Sequence, residues 1–219
     1  MASVTKVLPG APSALEPEPD VAATLCGEHL GVVRAFVDAL HRDGDERGLI
    51  GPLEHSRLWT RHILNCALVA PLLTEGFSVA DVGSGAGLPG LVLAILRPSV
   101  SFTLIEPMER RTTWLTEQVF HLELSNVTVL RARAEDRNVG EFDAVTARAV
   151  SALRTLIPLT AQLVRLEGEL LLMKGASVSQ EITVAEKEIR SHRLVDVEVL
   201  ELGAGVVSDP TRVFRARRA

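Results

Sequence analysis

Val79-Ala80-Asp81-Val82-Gly83-Ser84-Gly85-Ala86-Gly87-Leu88-Pro89-Gly90 places four glycines in eight residues directly after an apolar run that begins at Phe77. The apolar run at 77–82 reads as a strand and 87–96 as a helix, with glycine supplying the backbone freedom of the turn between them. The same alternation continues downstream. Short apolar runs at 101–106, 127–131, 142–147 and 169–174 read as strands, and 109–123, 152–166 and 179–190 as helices. Two late strands, 194–200 and 212–217, have no long helix between them. Alternating strand and helix units imply an α/β fold with a parallel, doubly wound sheet, and the short final connection returns the last strand antiparallel. In such a sheet ligands lie beyond the carboxyl ends of the strands, so a glycine loop after the first strand is placed to hold one.

Upstream the pattern differs. Residues 1–20 are rich in Pro, Glu and small residues and read as a disordered tail. Residues 21–76 read as a helical segment packed on the main domain, 77–219. Leu30, Val33, Phe36, Val37 and Leu40 form one helical stripe, and 57–73 reads as a second helix. No apolar run reaches the roughly 18 residues needed to span a bilayer. The N-terminus has neither the apolar stretch of a signal peptide nor the pattern of a transit peptide. Cys26 and Cys66 make neither a disulfide framework nor a metal-ligand cluster. A cytoplasmic monomer that binds no metal is expected. With a net charge of −5, any nucleic-acid binding requires a local basic patch.

The loop fits two cofactors. From Gly85 it matches G-x-G-x-x-G, the dinucleotide fingerprint. From Asp81 it matches an acidic residue followed by G-x-G-x-G, as in many enzymes that bind S-adenosylmethionine. Two residues favour the second. In a dinucleotide fold the position of Asp81 is usually apolar, and an unpaired buried carboxylate there is costly. Beside a cationic cofactor it can pair with the ammonium of the methionine part. Pro89 removes one N–H from the helix start, where a pyrophosphate would need it but where S-adenosylmethionine would not. Glu106, at the end of the second strand, suits ribose hydroxyls in either cofactor. Ala134-Glu135-Asp136 follows the third strand, where class I methyltransferases contact adenine.

Arg61-His62-Ile63-Leu64, the Asp81–Gly90 loop ending in Leu88-Pro89-Gly90, Ala134-Glu135 and Ala147-Arg148-Ala149 together resemble the glucose-inhibited division protein B family, the ribosomal RNA small-subunit methyltransferases G. The resemblance covers roughly residues 25–217. It implies a class I methyltransferase fold with a seven-stranded, mostly parallel sheet. It also implies methyl transfer from S-adenosylmethionine to N7 of a guanine in the 530 loop of 16S rRNA, as free RNA or in the 30S subunit. Gly83, Leu88, Ala134, Glu135 and Arg148 would line the cofactor site, joined by Asp81, Gly85 and Glu106 from the reading above. The chain departs from the family at Asn65, often Asp, and at Gly48-Leu49-Ile50-Gly51, where Asn-Leu-Thr is common.

The chemistry agrees with what the sequence lacks. Guanine N7 carries a lone pair and no proton at neutral pH, so no general base is expected and the task is orientation. No Asn-Pro-Pro-Tyr for amino methylation follows 142–147, and no Pro-Cys for C5-pyrimidine methylation. Arg148 is the leading candidate to position cofactor or RNA. His62, Trp59, Trp114 and both cysteines read as structural. Arg110, Arg111, Arg131, Arg133, Arg154 and the C-terminal Arg212, Arg215, Arg217 and Arg218 are candidate phosphate contacts. The alternatives are an NAD-dependent oxidoreductase, a methyltransferase acting on a protein or small molecule, and a non-enzymatic RNA-binding module.

Overall fold

A computed structural model of the chain describes residues 14–136, 139–148 and 151–219. Seven strands form one sheet: β1 (Ser78–Val82), β2 (Ser101–Ile105), β3 (Val127–Leu130), β4 (Phe142–Arg148), β5 (Val164–Lys174), β6 (Leu194–Leu202) and β7 (Thr211–Arg218). Their order is β3-β2-β1-β4-β5-β7-β6. The first five pair in parallel, and β7 runs antiparallel to both β5 and β6, as expected from the short connection that precedes it. The chain builds outward from β1 through β2 to β3, then crosses back to β4. That reversal opens a crevice at the carboxyl end of β1.

Successive strand residues serve two cores, because side chains alternate across a sheet. Val79, Leu104, Ala144, Leu171 and Val213 face one cluster, formed with α2 (Leu30–Asp43), α4 (Gly90–Leu96) and α5 (Glu109–His121). Ala80, Ile105, Val145, Leu172 and Phe214 face the other, with α6 (Leu153–Thr160), α7 (Val178–Val184) and α8 (Glu186–Ser191). Strands buried on both faces explain the near-continuous apolar runs. By the same alternation Asp81 shares the face of Val79 and points beneath α4.

Several boundaries differ from the sequence reading. The helix expected over 57–73 is a 3-10 turn (Pro52–Arg57), a π-helix (Leu58–Leu64), the short α3 (Asn65–Ala67) and another 3-10 turn (Ala70–Leu72). Pro71 cannot donate within a helix, and the run buries Leu58, Trp59 and every residue from His62 to Ala67. The helix expected over 152–166 yields to β5 at Val164, with Glu167 at a φ of 65° and a register shift opposite, between Phe142 and Ala144. The helix expected over 179–190 divides at Ala185. The loop helix starts at Gly90 rather than Gly87, with Pro89 as the residue before it, following a cis peptide bond.

Residues 1–13 of the expected tail, and Ala149 from the family motif, lie outside the described residues. Residues 14–20, composed like a disordered segment, are nonetheless tied down. Before α1 (Val21–Cys26), the Glu16 carboxylate accepts the Thr60 N–H at 2.9 Å, and Glu18 pairs with Arg34 at 2.6 Å. Composition missed this because the partners are distant in sequence.

Gly90 is the tightest point of the first crossover. A Cβ there would lie 2.5 Å from Asp81 Oδ2 and would also strike Leu104. Overpacking of this kind costs about 1–3 kcal/mol. Gly90→Ala is expected to lower the thermal midpoint by several degrees in calorimetry, with the far-ultraviolet spectrum retained. A wild-type midpoint would contradict the close packing of α4 on β1.

Candidate functional site

The loop after β1 is built by spending its own amides. Gly83, Gly85 and Gly87 have φ of 72°, 54° and 96°, conformations that favour glycine. The N–H groups of Gly83 and Ser84 donate to the Ile105 carbonyl at 2.9 and 3.3 Å, and those of Gly87 and Leu88 to the Ser84 carbonyl at 2.7 and 3.2 Å. Gly85 N–H donates to Glu106 Oε2 at 3.0 Å, and Gly90 N–H to Asp81 Oδ2 at 3.0 Å. Pro89 has no N–H. Among the described residues, Ala86 is the one amide from Gly83 to Gly90 without a protein acceptor. A pyrophosphate is gripped by several free amides at a helix start, and here they are already used.

Neighbouring elements hold the loop from outside. Trp114, fully buried on α5, donates its indole N–H to the Ala86 carbonyl at 3.0 Å. Glu106 is 2% exposed, accepts Met108 N–H at 3.0 Å as well as Gly85, and lies 3.7 Å from Arg111. Gly83, Gly85, Leu88, Glu106 and Arg148 line one side of a cavity of about 430 Å³. The N-terminal segment supplies the other side, through Leu49, Ile50, Gly51, Glu54 and His62.

Glu54, His62 and Arg148 form a continuous chain across this cavity. His62 Nε2 lies 2.5 Å from Glu54 Oε2, and Nδ1 meets the Arg148 guanidinium. Arg148 also donates to the His62 carbonyl at 3.4 Å and contacts Cys66 Sγ at 3.5 Å. Burial, then the adjacent Arg148 charge, push the His62 pKa from 6.5 down to about 4, although Glu54 opposes them. The ring is therefore neutral at pH 7. Because guanidinium can only donate, Nδ1 accepts from Arg148 and the Nε2 proton points to Glu54. Both ring nitrogens are engaged, so His62 offers a substrate neither a lone pair nor a free proton.

The structure brings together Gly83, Gly85, Leu88, Glu106 and Arg148 of the sequence-expected site. Asp81 lies beneath the loop, fully buried and outside the cavity lining; Oδ2 caps Gly90 and Oδ1 meets no partner. Its geometry is that of a loop brace and not of an ammonium ligand. Ala134 and the exposed Glu135 follow β3 and do not line this cavity. Sequence reasoning missed Glu54 and Ser84, and it assigned Arg111 to RNA phosphate where the structure places it on the cavity lining. Glu54 precedes Arg61-His62 by one to two turns, and no local pattern marked it. The C-terminal arginines prove to be cross-strand partners: Arg215 pairs with Glu169 at 2.6 Å, Arg217 with Asp196 at 2.8 Å and Arg212 with Glu201 at 2.8 Å. They lie on an interior strand, not on a solvated tail.

Comparison with known proteins gives the family and the fold. A family model described as rRNA small subunit methyltransferase G matches residues 30–209. The ribosomal RNA small subunit methyltransferase G of Clavibacter sepedonicus is 60% identical over 208 residues, covering 94% of this chain and 98% of that protein. That of Leifsonia xyli subsp. xyli is 60% identical over 203 residues, covering 92% and 97%. Among solved structures, M. jannaschii TYW2 in complex with AdoMet aligns with a TM-score of 0.57 at 18% identity, covering 74% of this chain and 78% of that one. The tRNA (m1A58) methyltransferase TrmI from Aquifex aeolicus aligns with a TM-score of 0.55 at 15% identity, covering 70% and 68%. At these identities the structural likeness concerns the fold.

Burial raises the Asp81 pKa from 3.8 to about 7, against the lowering effect of the Gly90 amide and Arg148. A carboxyl with a raised folded pKa adds stability that is complete below pH 3.8 and is lost as pH rises through 7. His62 works in the opposite sense, with stability complete above pH 6.5 and lost as pH falls through about 4, but it is common to both proteins compared below. Asp81→Asn keeps an oxygen for Gly90 without a charge. In the cofactor-free protein, its thermal midpoint should gain on wild type as pH is raised from 5 to about 8.5. A pH-independent difference would show that Asp81 is not a buried titrating brace.

Proposed function

The chain belongs to the rRNA small subunit methyltransferase G family, and from that premise we propose that it methylates N7 of a guanine in the 530 loop of 16S rRNA. It is an S-adenosylmethionine-dependent rRNA methyltransferase by family membership. The observation that supports the cofactor most directly is the loop whose amides are spent, facing a cavity with carboxylates on two sides, Glu106 and Glu54. Such a loop offers a pyrophosphate few free amides, and the carboxylates suit an ammonium and two ribose hydroxyls.

When bound, S-adenosylmethionine supplies the electrophilic methyl group. Glu106 would hold the ribose hydroxyls, and Gly83, Gly85 and Leu88 would pack against the cofactor. Arg148 would meet its carboxylate, and Ala134 and Glu135 would flank the adenine end of the crevice. Asp81 contributes by shaping the loop. The N7 lone pair forms the new bond to carbon while the carbon–sulfur pair returns to sulfur, and no proton moves. This agrees with a cavity in which His62 is neutral and fully engaged. The segment 21–76 would act as the substrate-side cover of the methyltransferase unit 77–219, in a cytoplasmic monomer acting on 16S rRNA or the 30S subunit. No helix among the described residues is long and apolar enough to cross a membrane.

Labelled S-adenosylmethionine supplied with undermethylated 30S subunits or naked 16S rRNA should yield one borohydride–aniline cleavage, in the 530 loop. Cleavage elsewhere would replace the 530-loop position, and label without cleavage would replace the N7 reading. Separately, Arg148→Ala should cut turnover at limiting cofactor about tenfold or more, the scale of a lost charged hydrogen bond, with the fold intact. Unchanged turnover under those conditions would remove Arg148 from the site.

A further inference from the structure

A second cavity, of about 400 Å³, lies on the other side of Arg148, whose side chain lines both. Arg61 and Asn65 border it from the N-terminal segment, Lys174 from the end of β5, and Asp209 and Arg212 from the approach to β7. Arg61 and Asn65 are four residues apart and share a helical face, while His62 turns into the first cavity.

Most polar groups around this second cavity are already paired. Lys174 Nζ lies 2.7 Å from Glu181 and donates to the Ser151 carbonyl at 2.6 Å, and Arg212 pairs with Glu201. Two groups are not. Asn65 is 9% exposed and its Oδ1 is buried with no partner. Asp209 makes no hydrogen bond or ion pair among the described residues. A buried amide left unsatisfied is costly unless a ligand completes it. The open positions are therefore two acceptors, the buried Asn65 amide oxygen and the exposed Asp209 carboxylate, lining a space that adjoins the cofactor cavity.

We propose that this cavity receives the target guanine, turned out of its RNA, and that Asp209 and Asn65 read its Watson–Crick edge. The inference rests on the N7 reading above and extends it to base selection. Enzymes that modify a base commonly extrude it and read that edge by hydrogen bonds. Guanine presents two adjacent donors, N1–H and the 2-amino group; the Asp209 carboxylate accepts one hydrogen from each, and the unpartnered Asn65 Oδ1 accepts the second 2-amino hydrogen. Adenine has an acceptor at N1 and no 2-amino group, so it would leave Asp209 facing a lone pair. The Watson–Crick edge lies across the ring from N7, so a base held this way turns N7 toward Arg148 and the cofactor. Asp209 also balances the positive charge of the product. Arg61 and Arg212, with side chains 48% and 35% exposed, stand at the rim where the flanking phosphates pass.

The test uses the full-length enzyme and 30S subunits reconstituted with 16S rRNA carrying either guanine or inosine at the target position. Inosine keeps N7 and lacks only the 2-amino group. Wild type should lose about tenfold or more in kcat/KM on inosine, as one lost hydrogen bond to a charged group predicts. Asp209→Asn should lose a similar factor on guanine and separate the two substrates by less than about threefold. Asn65→Ala should lower kcat/KM on both. S-adenosylhomocysteine affinity and the unfolding midpoint of Asp209→Asn should match wild type, since Asp209 has no structural partner. Undiminished guanine–inosine discrimination by Asp209→Asn, or unchanged kcat/KM in both variants, would overturn the base-reading cavity while leaving N7 methylation standing. Failure of wild type to methylate N7 on guanine subunits would overturn both.

Discussion

The hydrogen bond from Gly90 N–H to Asp81 Oδ2 closes the turn between β1 and α4, and the site depends on it. It joins the end of a fully buried strand to the first residue of the helix that follows. A carboxylate in that position is expensive, with one oxygen unpartnered and the pKa raised by burial to about 7. In return the helix start is held against the sheet, close enough that no side chain fits at position 90. The glycines that precede it must then fold back on themselves, and their amides pair with Ile105, Ser84 and Glu106 instead of pointing outward.

That internal pairing decides what the crevice can hold. A dinucleotide loop and this loop share a glycine spacing, and they differ in where the N–H groups end. Here the groups presented to the cavity are carboxylates, the guanidinium groups of Arg111 and Arg148, and apolar surface from Leu88 and Ile50. The opposite wall comes from the N-terminal segment, linked to β4 through Glu54, His62 and Arg148. The π-helix that carries His62 also carries Arg61, and α3 follows immediately with Asn65. One irregular stretch therefore contributes to both cavities, a common placement for π-helical turns.

The parallel, doubly wound sheet and the antiparallel last strand were legible because apolar alternation and connection length constrain topology strongly. Helix limits were less so. Proline, a positive φ at Glu167 and burial on more than one face are local facts that periodicity averages away. Of the residues that line the cavity, Gly85 and Glu106 were legible from the glycine spacing and a strand end, and Gly83, Leu88 and Arg148 from the family resemblance. Asp81 was legible as exceptional, and its direction of inference held, but the physical reason differs. It favours S-adenosylmethionine by occupying the amide a phosphate would take, since its own side chain does not reach the cavity. Glu54 was illegible because its function depends on a contact with His62 that only the irregular helix creates.

Electrostatics explain how an acidic chain can serve an RNA substrate. The formal charge is −5, and the C-terminal arginines that first suggest a phosphate-binding tail are committed to Glu169, Glu198, Asp196, Glu167 and Glu201 across the strands. Pairs this exposed add little stability, yet they remove those charges from long-range attraction. Affinity then has to come from the few cations left near the crevice mouth, and selectivity from polar groups inside it. N7 attack fits this division, because it requires no proton acceptor. The protein has no need of a reactive histidine or a perturbed lysine at the cavity, and the buried His62 is held neutral between two charged partners. What the reaction requires is a base and a methyl group held in line, and two cavities sharing the Arg148 wall provide adjoining places for the two reactants.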